Sequence, residues 1–416
     1  MRLSYIFVVL AVLVSSAVYA ADEGALSVVT DRTNALYKCG EEAVFIVSVQ
    51  SNLAGEIAYR LTLDGATRLA EGKLISGGKP LEIKGKLDSP GILQCAVTVS
   101  NYPKTILAAA AFDPEQIKPS ATEPADFKTF WDQKKRELAA VPVDAQLTEM
   151  PRYSDANVTV YKVRMNNVSN AYVYGWLGVP KKKGPFPAII TVPCAGVGTA
   201  AVGWTSWARS GFLSLGLGIH DIDPEMPEEK LKQLEKNELA NYQKQGMQSR
   251  DTYYFLRVFL GCVRAVDYLA SRPDWDGKHI VVRGWSQGGA LSIITAGLDQ
   301  RVSAIAPEVP ALCDHAGCLH GRPSGWPQLI VKGDPVVAQV SAYYDAVNFA
   351  RYAKCETIMV VGLIDTVCPP MTVYAAYNVL AGPKRMLAAP LRGHAPADEK
   401  FQAERNNFIS SHVRGH

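Results

Sequence analysis

A serine flanked by two glycines is the stretch of this chain whose residue types most directly suggest chemistry. Residues 284–288 have the sequence Gly-Trp-Ser-Gln-Gly, which matches G-x-S-x-G. The β-branched run HIVV comes before this stretch, and the helix-like run LSIITAGLD follows it. A nucleophilic serine in such a strand–turn–helix element sits in a tight, strained turn, where side chains larger than glycine at the flanking positions would collide. The pattern therefore predicts Ser286 as a nucleophile.

A serine hydroxyl needs a histidine to take its proton and a carboxylate to fix the tautomer of that histidine. In hydrolases with this turn the acid follows the serine and the histidine follows the acid. His394 comes after the strand-like run RMLAAPL and a short turn, which places it at the carboxyl end of a strand. It is the predicted base, because the other histidines after Ser286 either lie in the last five residues or precede any suitable acid: His315, His320, His412 and His416.

Asp365 is the predicted acid because it ends the apolar run TIMVVGLI. One helix pattern and one strand pattern separate it from His394, so a single β-α-β step brings both residues to the same edge of a sheet. Asp334 is the rival, since it also ends an apolar run, but it requires a further helix and strand before the histidine. Asp398 is expected on the surface near the histidine.

The oxyanion of an acyl-transfer intermediate needs two backbone N–H donors, each worth on the order of 3 kcal/mol. Gln287, directly after the nucleophile, is the first predicted donor. The second is expected in the loop PCAGVG after the strand-like run PAIITV, with Ala195 as first choice and Cys194 or Gly196 as alternatives. Cys194 is not favoured as a nucleophile, because no histidine occupies a matching position.

Trp285 is a candidate substrate contact because it lies beside the nucleophile. Three other tryptophans are weaker candidates for stacking on sugar rings, since most tryptophans in a chain of this size belong to the core: Trp204, Trp207 and Trp326.

The composition requires no metal, cofactor or nucleic acid. No C-x-x-C pair occurs, the seven histidines are scattered, and the net charge of +3 in 416 residues creates no broad basic field. The expected partner is a small-molecule or oligosaccharide ester, with no role for a membrane. Export makes disulfides chemically possible, and two pairings are open: Cys39 with Cys95, which share the N-terminal segment, and Cys313 with Cys318, which are close in sequence.

Residues 126–416 must position these groups, and there strand and helix patterns alternate along the chain. Alternation of this kind predicts an α/β fold with a doubly wound, mostly parallel sheet whose active site lies at the carboxyl ends of the strands. A charged insertion at about 221–251 is expected to form a helical lid. Residues 21–113 instead show short strands with frequent turns, typical of a small immunoglobulin-like β-sandwich, and the proline-rich stretch 114–125 is the predicted linker.

Residues 1–20 have the pattern of a secretory signal peptide. One arginine precedes a short apolar core, and small residues lead up to Ala20, after which cleavage is expected. The apolar core is shorter than the roughly 20 residues needed to span a bilayer. The expected location is therefore periplasmic or extracellular.

About residues 122–410 resemble the acetyl xylan esterase and cephalosporin C deacetylase family of α/β-hydrolases. The resemblance rests on EPADFKTFWDQ, PAIITVPCAGVG, GWSQGGALSI, PALCD and above all GLIDTVCPPMTVYAAYN around Asp365. It implies Ser286 as nucleophile, Asp365 as acid and His394 as base, with closed homo-oligomers as a family tendency. Family members typically carry Glu after the histidine, whereas this chain has Ala395, and the N-terminal sandwich lies outside the resemblance.

The resulting expectation is a serine esterase that removes acetyl groups from acetylated xylan or xylo-oligosaccharides, and from cephalosporin-type acetyl esters, through an acyl-enzyme. The alternatives are another secreted serine hydrolase, such as a peptidase or feruloyl esterase, and a non-catalytic carbohydrate-binding protein.

Overall fold

The computed structural model of the chain describes residues 25–50, 53, 55–100, 102–330 and 334–414. The predicted signal peptide and His416 lie outside these residues. Within them, no helix has both the length and the apolar character needed to cross a bilayer.

Two β-sheets pack face to face at the start of the described chain. The three-stranded sheet has the order β1-β3-β6 and the five-stranded sheet the order β2-β8-β7-β4-β5. Alternating apolar side chains of both sheets form one core, around Phe45, Val97 and Phe112. The strands are β1 Leu26–Thr30, β2 Leu36–Tyr37, β3 Ala43–Val49, β4 Glu56–Leu63, β5 Thr67–Ile75, β6 Leu81–Gly85, β7 Gly91–Val99 and β8 Tyr102–Phe112.

A nine-stranded sheet with the order β17-β16-β15-β14-β12-β13-β11-β10-β9 forms the centre of the rest of the chain. The strands from β17 to β13 in this order are parallel, and β11, β10 and β9 are antiparallel. The strands are β9 Gln146–Glu149, β10 Val158–Asn166, β11 Tyr172–Pro180, β12 Phe186–Val192, β13 Leu213–Leu217, β14 Trp275–Trp285, β15 Ala304–Glu308, β16 Glu356–Gly362 and β17 Lys384–Ala389. The chain reverses its winding direction between β12 and β14, which is where sites form in sheets of this kind.

Eight helices cover this sheet in the described part of the chain. The helices α3 and α4, next to the site, are largely apolar, and this composition allows them to be buried against the sheet. Most of their residues lie in the core. The helices are α1 Phe127–Ala139, α2 Glu228–Lys236, α3 Phe255–Ser271, α4 Gln287–Leu298, α5 Pro335–Ser341, α6 Ala346–Ala350, α7 Pro370–Val379 and α8 Glu399–Arg414. The insertion at 221–251 contributes α2 and one 3-10 helix, Tyr242–Lys244.

The fold-class prediction is confirmed: a large, mostly parallel sheet covered by helices follows an N-terminal β region. Four strands had no counterpart among the patterns used for the prediction: β2, β6, β9 and β10. Two of these are only two and four residues long, too short for a periodic pattern to stand out.

The two candidate disulfides are wrong, because the structure has all four cysteines as free thiols. Cys39 donates its N–H to Asp113, whereas Cys95 pairs with Ala108, five residues earlier than Asp113 in sequence. Five residues of strand span about 16 Å, beyond the ~7 Å Cα separation that a disulfide tolerates.

The second pair fails because its two thiols have different surroundings. The buried Sγ of Cys313 contacts the carbonyl of Ala311, and the exposed Cys318 turns its Sγ towards the carbonyls of His315 and Ile330.

Candidate active site

Ser286 lies in a strained turn between β14 and α4. Its backbone has φ 57° and ψ −119°, a region that costs a non-glycine residue about 1–3 kcal/mol. The turn is held by hydrogen bonds from Ser286 N to the Glu308 carbonyl, at 2.9 Å, and from Ala311 N to the Ser286 carbonyl, at 3.0 Å. These bonds extend the pairing of β14 with β15 and fix the serine at the carboxyl end of the sheet.

The two flanking glycines are required by close approach of the backbone. A Cβ on Gly284 would lie 2.4 Å from the carbonyl carbon of Gly288, and a Cβ on Gly288 would lie 2.4 Å from the carbonyl oxygen of Val192. Side chains at either position would push α4 away from β12 and open the turn.

The structure brings Ser286, His394 and Asp365 into one hydrogen-bonded chain. Nε2 of His394 lies 3.0 Å from Oγ of Ser286, and Nδ1 lies 2.8 Å from Oδ2 of Asp365. The carboxylate accepts a hydrogen bond from Nδ1–H, which leaves Nε2 without a proton and able to take the proton of the serine hydroxyl. This arrangement is able to activate a serine for attack on an ester.

The loop after β16 holds the carboxylate of Asp365 in place. Oδ1 accepts hydrogen bonds of 2.8 Å from the N–H groups of Val367 and Cys368, so both oxygens of this buried group have donors. Cys368 is buried beside Ser286, and burial raises the pKa of its thiol well above the ordinary value. It therefore remains a neutral thiol.

Asp365, Cys368 and His394 also present donor atoms within 4.8 Å of one another, a set that is able to bind a metal ion. The carboxylate and the imidazole of this set are already bonded to each other.

The two predicted halves of the oxyanion hole lie side by side. Gln287 begins α4, and its Nε2 donates to the Cys194 carbonyl at 3.3 Å. Tyr242, from the insertion, donates its hydroxyl to Oε1 of Gln287 at 2.8 Å and accepts the N–H of Gly196 at 3.2 Å. Burial raises the pKa of Tyr242, so the hydroxyl stays protonated and joins the two halves. Ala195 lies between the two anchored residues of this loop.

A buried histidine supports the same loop from behind. Nε2 of His220 lies 2.8 Å from the Gly196 carbonyl, and Nδ1 lies 2.6 Å from the hydroxyl of Tyr254. Arg257 donates to that hydroxyl at 2.7 Å. Burial lowers the pKa of His220 to about 4, so the ring is neutral at physiological pH and donates from Nε2 to the carbonyl.

Glu308 connects the serine turn to the histidine loop. Its backbone carbonyl binds Ser286, while its buried carboxylate accepts hydrogen bonds from Ala397 N and from the guanidinium groups of Arg392 and Arg405. Because Arg392 and Ala397 flank His394 in sequence, one carboxylate fixes both ends of the segment that carries the histidine.

Trp285 packs against the histidine. Its ring lies 4.8 Å from the His394 ring, centroid to centroid, at an interplanar angle of 32°. Trp204 and Trp207 instead pack in separate hydrophobic clusters, and Trp326 packs on the main core.

The rival acids and histidines have other surroundings. Asp334 caps α5 by accepting the N–H of Val337, and Asp398 accepts the N–H of Phe401 in the first turn of α8. Neither of the two histidines that follow Ser286 most closely in sequence bonds to it. His315 is buried without a hydrogen-bond partner for its ring nitrogens, and His320 is exposed. His412 bonds to Ser303 and Glu356.

Sequence reasoning missed Tyr242, His220 and Glu308. Glu308 ends an apolar strand next to the serine strand, a signal of the same kind that selected Asp365. Tyr242 and His220 lie in or next to the charged insertion, where no periodic pattern marks them.

Most of this chain is similar to known proteins. Residues 113–320 and 332–412 match the family model described as acetyl xylan esterase (AXE1). A protein named acetyl esterase Axe7A, from Xylanibacter ruminicola, is 36% identical over 382 residues, covering 88% of this chain and 85% of that protein.

Two solved structures each cover 72% of this chain. An acetyl xylan esterase from a Paenibacillus species has a TM-score of 0.63 at 27% identity, covering 72% of this chain and 98% of its own. Acetyl xylan esterase 1 from a Thermoanaerobacterium species has the same TM-score at 22% identity, covering 72% and 97%, and shows the shared fold.

Proposed function

Because the chain belongs to the acetyl xylan esterase family, we propose that it removes acetyl groups from xylan-derived sugars through an acyl-enzyme formed on Ser286. The family makes the chain a carboxylic ester hydrolase that acts on acetyl esters. We propose which residues catalyse the hydrolysis and which sugars carry the acetyl group.

The observation that carries the proposal is the hydrogen-bonded chain from Ser286 through His394 to Asp365 at a strained turn. His394 takes the proton of the serine hydroxyl as Oγ attacks the acetyl carbonyl carbon. The buried carboxylate of Asp365 stabilises the imidazolium that forms. His394 then gives that proton to the departing sugar oxygen, so the sugar leaves as an alcohol and the acetyl group remains on Ser286 as an ester.

The negative charge of the tetrahedral intermediate is assigned to the backbone N–H groups of Gln287 and Ala195. The bonds of Tyr242 and His220 to the neighbouring residues hold these two segments at fixed separation before substrate binds. Donors fixed in advance need no reorganisation as charge develops. Water activated by His394 then attacks the acetyl group and releases acetate.

Trp285 is proposed as a wall of the pocket beside the histidine, which suits an apolar sugar face or the acetyl methyl group. The resemblance to acetyl xylan esterases, together with the relative named acetyl esterase, supports short acyl groups on sugar hydroxyls. Cephalosporin-type acetyl esters are a further proposed substrate class.

Acetate release from acetylated xylan, acetylated xylo-oligosaccharides and cephalosporin C tests the substrate assignment. We expect the highest kcat/KM on the acetylated xylo-oligosaccharides. Higher kcat/KM on feruloylated sugars or peptide p-nitroanilides would assign the site to another serine hydrolase. No turnover of any ester would favour a sugar-binding protein and contradict the proposal.

We also propose that the protein is exported to the periplasm or the medium after cleavage behind Ala20. The basic residue, short apolar core and small residues of positions 1–20 support this proposal. The intact mass of the protein recovered outside the cytoplasm tests it: we expect a chain that begins at Ala21. A homo-oligomer is proposed from the family resemblance, and light scattering of the purified protein measures it.

A further inference from the structure

Asp64 of the N-terminal sandwich reaches into the catalytic part of the chain. It lies in the turn between β4 and β5, with only 3% of its surface exposed. Its Oδ2 accepts the N–H of Met371 at 2.8 Å, across 307 positions of sequence. The contact therefore joins two parts of the chain that fold into separate sheets.

The hydrogen bond replaces a cap that α7 lacks. The residue before this helix is Pro369, whose side chain has no oxygen to accept the exposed N–H groups of the first turn. The next residue, Pro370, has no N–H, so Met371 carries the first free donor of α7. Asp64 supplies the carboxyl oxygen that a capping residue would normally provide.

The start of α7 is also the end of the loop that carries Asp365. Oδ1 of Asp365 accepts the N–H groups of Val367 and Cys368, two and three residues after it, and α7 begins two residues after Cys368. A shift of the first turn of α7 is therefore transmitted directly to the donors that orient the carboxylate.

Resting on the function proposed above, we infer that Asp64 is a positioning residue for the reaction: it fixes the first turn of α7 and, through the loop before it, the carboxylate of Asp365. The sandwich thereby contributes to catalysis without touching the substrate.

Other contacts place the turn firmly against the catalytic part. A Cβ on Gly91, at the start of β7, would lie 3.7 Å from the Met371 side chain, so the sandwich packs on the same residue. Thr67, at the other end of the turn, donates its hydroxyl to the Gly321 carbonyl at 2.7 Å. The Thr67 contact joins the two parts of the chain without involving the loop of Asp365.

The electrostatic setting favours a neutral Asp64. Burial raises its pKa to about 8 and the charge of Asp365 adds to that rise, whereas the hydrogen bond from Met371 and the charge of Arg322 oppose it. A neutral carboxyl group still has a carbonyl oxygen for Met371 N. An asparagine has nearly the same shape and keeps that acceptor without a charge.

The test compares Asp64→Ala with Asp64→Asn and uses Thr67→Val as the matched control. We expect Asp64→Ala to lower kcat on 4-nitrophenyl acetate by about tenfold with little change in KM, because small misplacements of catalytic groups cost this much or more. Asp64→Asn should restore kcat to within about twofold of the wild-type value, and Thr67→Val should keep it, since neither removes the acceptor for Met371.

Folding is checked by thermal unfolding at the assay pH. If the alanine variant does not fold, Asp64→Leu, which fills the space without an acceptor, takes its place in the comparison. A folded variant without the acceptor whose kcat equals that of Thr67→Val overturns the inference, as does an asparagine variant as slow as the alanine variant. Failure of the proposed function is seen separately: the Ser286→Ala variant would then retain the esterase activity of the wild type.

Discussion

Two hydrogen-bonded sets of side chains, each made of a serine, a histidine and a carboxylate, lie at opposite ends of the parallel strands in the nine-stranded sheet. We call these ends the carboxyl edge and the amino edge. At the carboxyl edge, Oγ of Ser286 lies 3.0 Å from Nε2 of His394. At the amino edge, Oγ of Ser303 lies 2.9 Å from Nε2 of His412, and Nδ1 of that histidine lies 2.8 Å from Oε2 of Glu356. The distances are almost the same in both.

The surroundings of the two serines differ. Ser303 precedes β15 in ordinary backbone geometry, and its hydroxyl accepts the N–H of Ile280 at the neighbouring strand. Its hydrogen bonds therefore tie strand ends and α8 together. Ser286 lies in a strained turn beside a helix start and a loop held by Tyr242. Three hydrogen-bonded side chains therefore need a nucleophile presented in a strained turn, with fixed N–H donors beside it, to become a reactive site.

The largest expected difference is between the two serines. Ser286→Ala should lower kcat on acetyl esters by about 10⁶-fold, as loss of a nucleophile does elsewhere. Ser303→Ala should leave kcat unchanged. The rate of acetate release from one acetyl ester measures kcat for both variants. A comparable loss of kcat in the two variants would contradict the assignment of the reaction to the carboxyl edge alone.

The carboxylates should differ next. Asp365→Asn should lower kcat by about 10⁴-fold, because an amide favours the wrong tautomer of the histidine. Glu356→Gln, at the amino edge, and Asp334→Asn, the rival acid, should both retain activity. An inactive Asp334→Asn beside an active Asp365→Asn would reverse the assignment of the acid.

The stabilisation that His220 provides behind the carboxyl edge should be lost at acidic pH. His220 has its pKa lowered to about 4 by burial, whereas an unfolded histidine titrates near 6.5. Its contribution to the free energy of unfolding is therefore complete above about pH 6.5 and falls as the pH drops towards 4, by up to about 3 kcal/mol. Urea unfolding of the wild type and of His220→Gln across this range measures it. Parallel slopes in the two proteins would contradict a buried neutral ring.

The smallest expected effect concerns the bond between the two halves of the oxyanion hole. Tyr242→Phe keeps the ring but loses the hydroxyl that joins Gln287 to Gly196. We expect kcat to fall by about tenfold, less than the 10²–10³-fold loss of a direct oxyanion donor. Unchanged KM would place the effect in the transition state, whereas an effect on KM alone would assign Tyr242 to substrate binding.

The residues at the carboxyl edge of the sheet could be predicted from the sequence more completely than the residues that hold them in place. Parallel strands end at a common edge, so polar residues that follow apolar runs, such as Asp365 and His394, are brought together by topology alone. The contact of Asp64 was invisible because Leu-Asp-Gly is the pattern of an ordinary hairpin turn, and nothing local indicates a partner 307 positions away. The cysteine pairs failed for the same reason, because spacing along the chain does not show where each thiol lies in the folded structure.

We propose that Ser286, and not Ser303, forms the acyl-enzyme. Labelling with a fluorophosphonate, followed by peptide mass mapping, tests it most directly. We predict one adduct per chain, on the peptide that contains Ser286, in the wild type and in Ser303→Ala, and none in Ser286→Ala. An adduct that persists in Ser286→Ala, or a wild-type protein that takes up no label, would contradict the account.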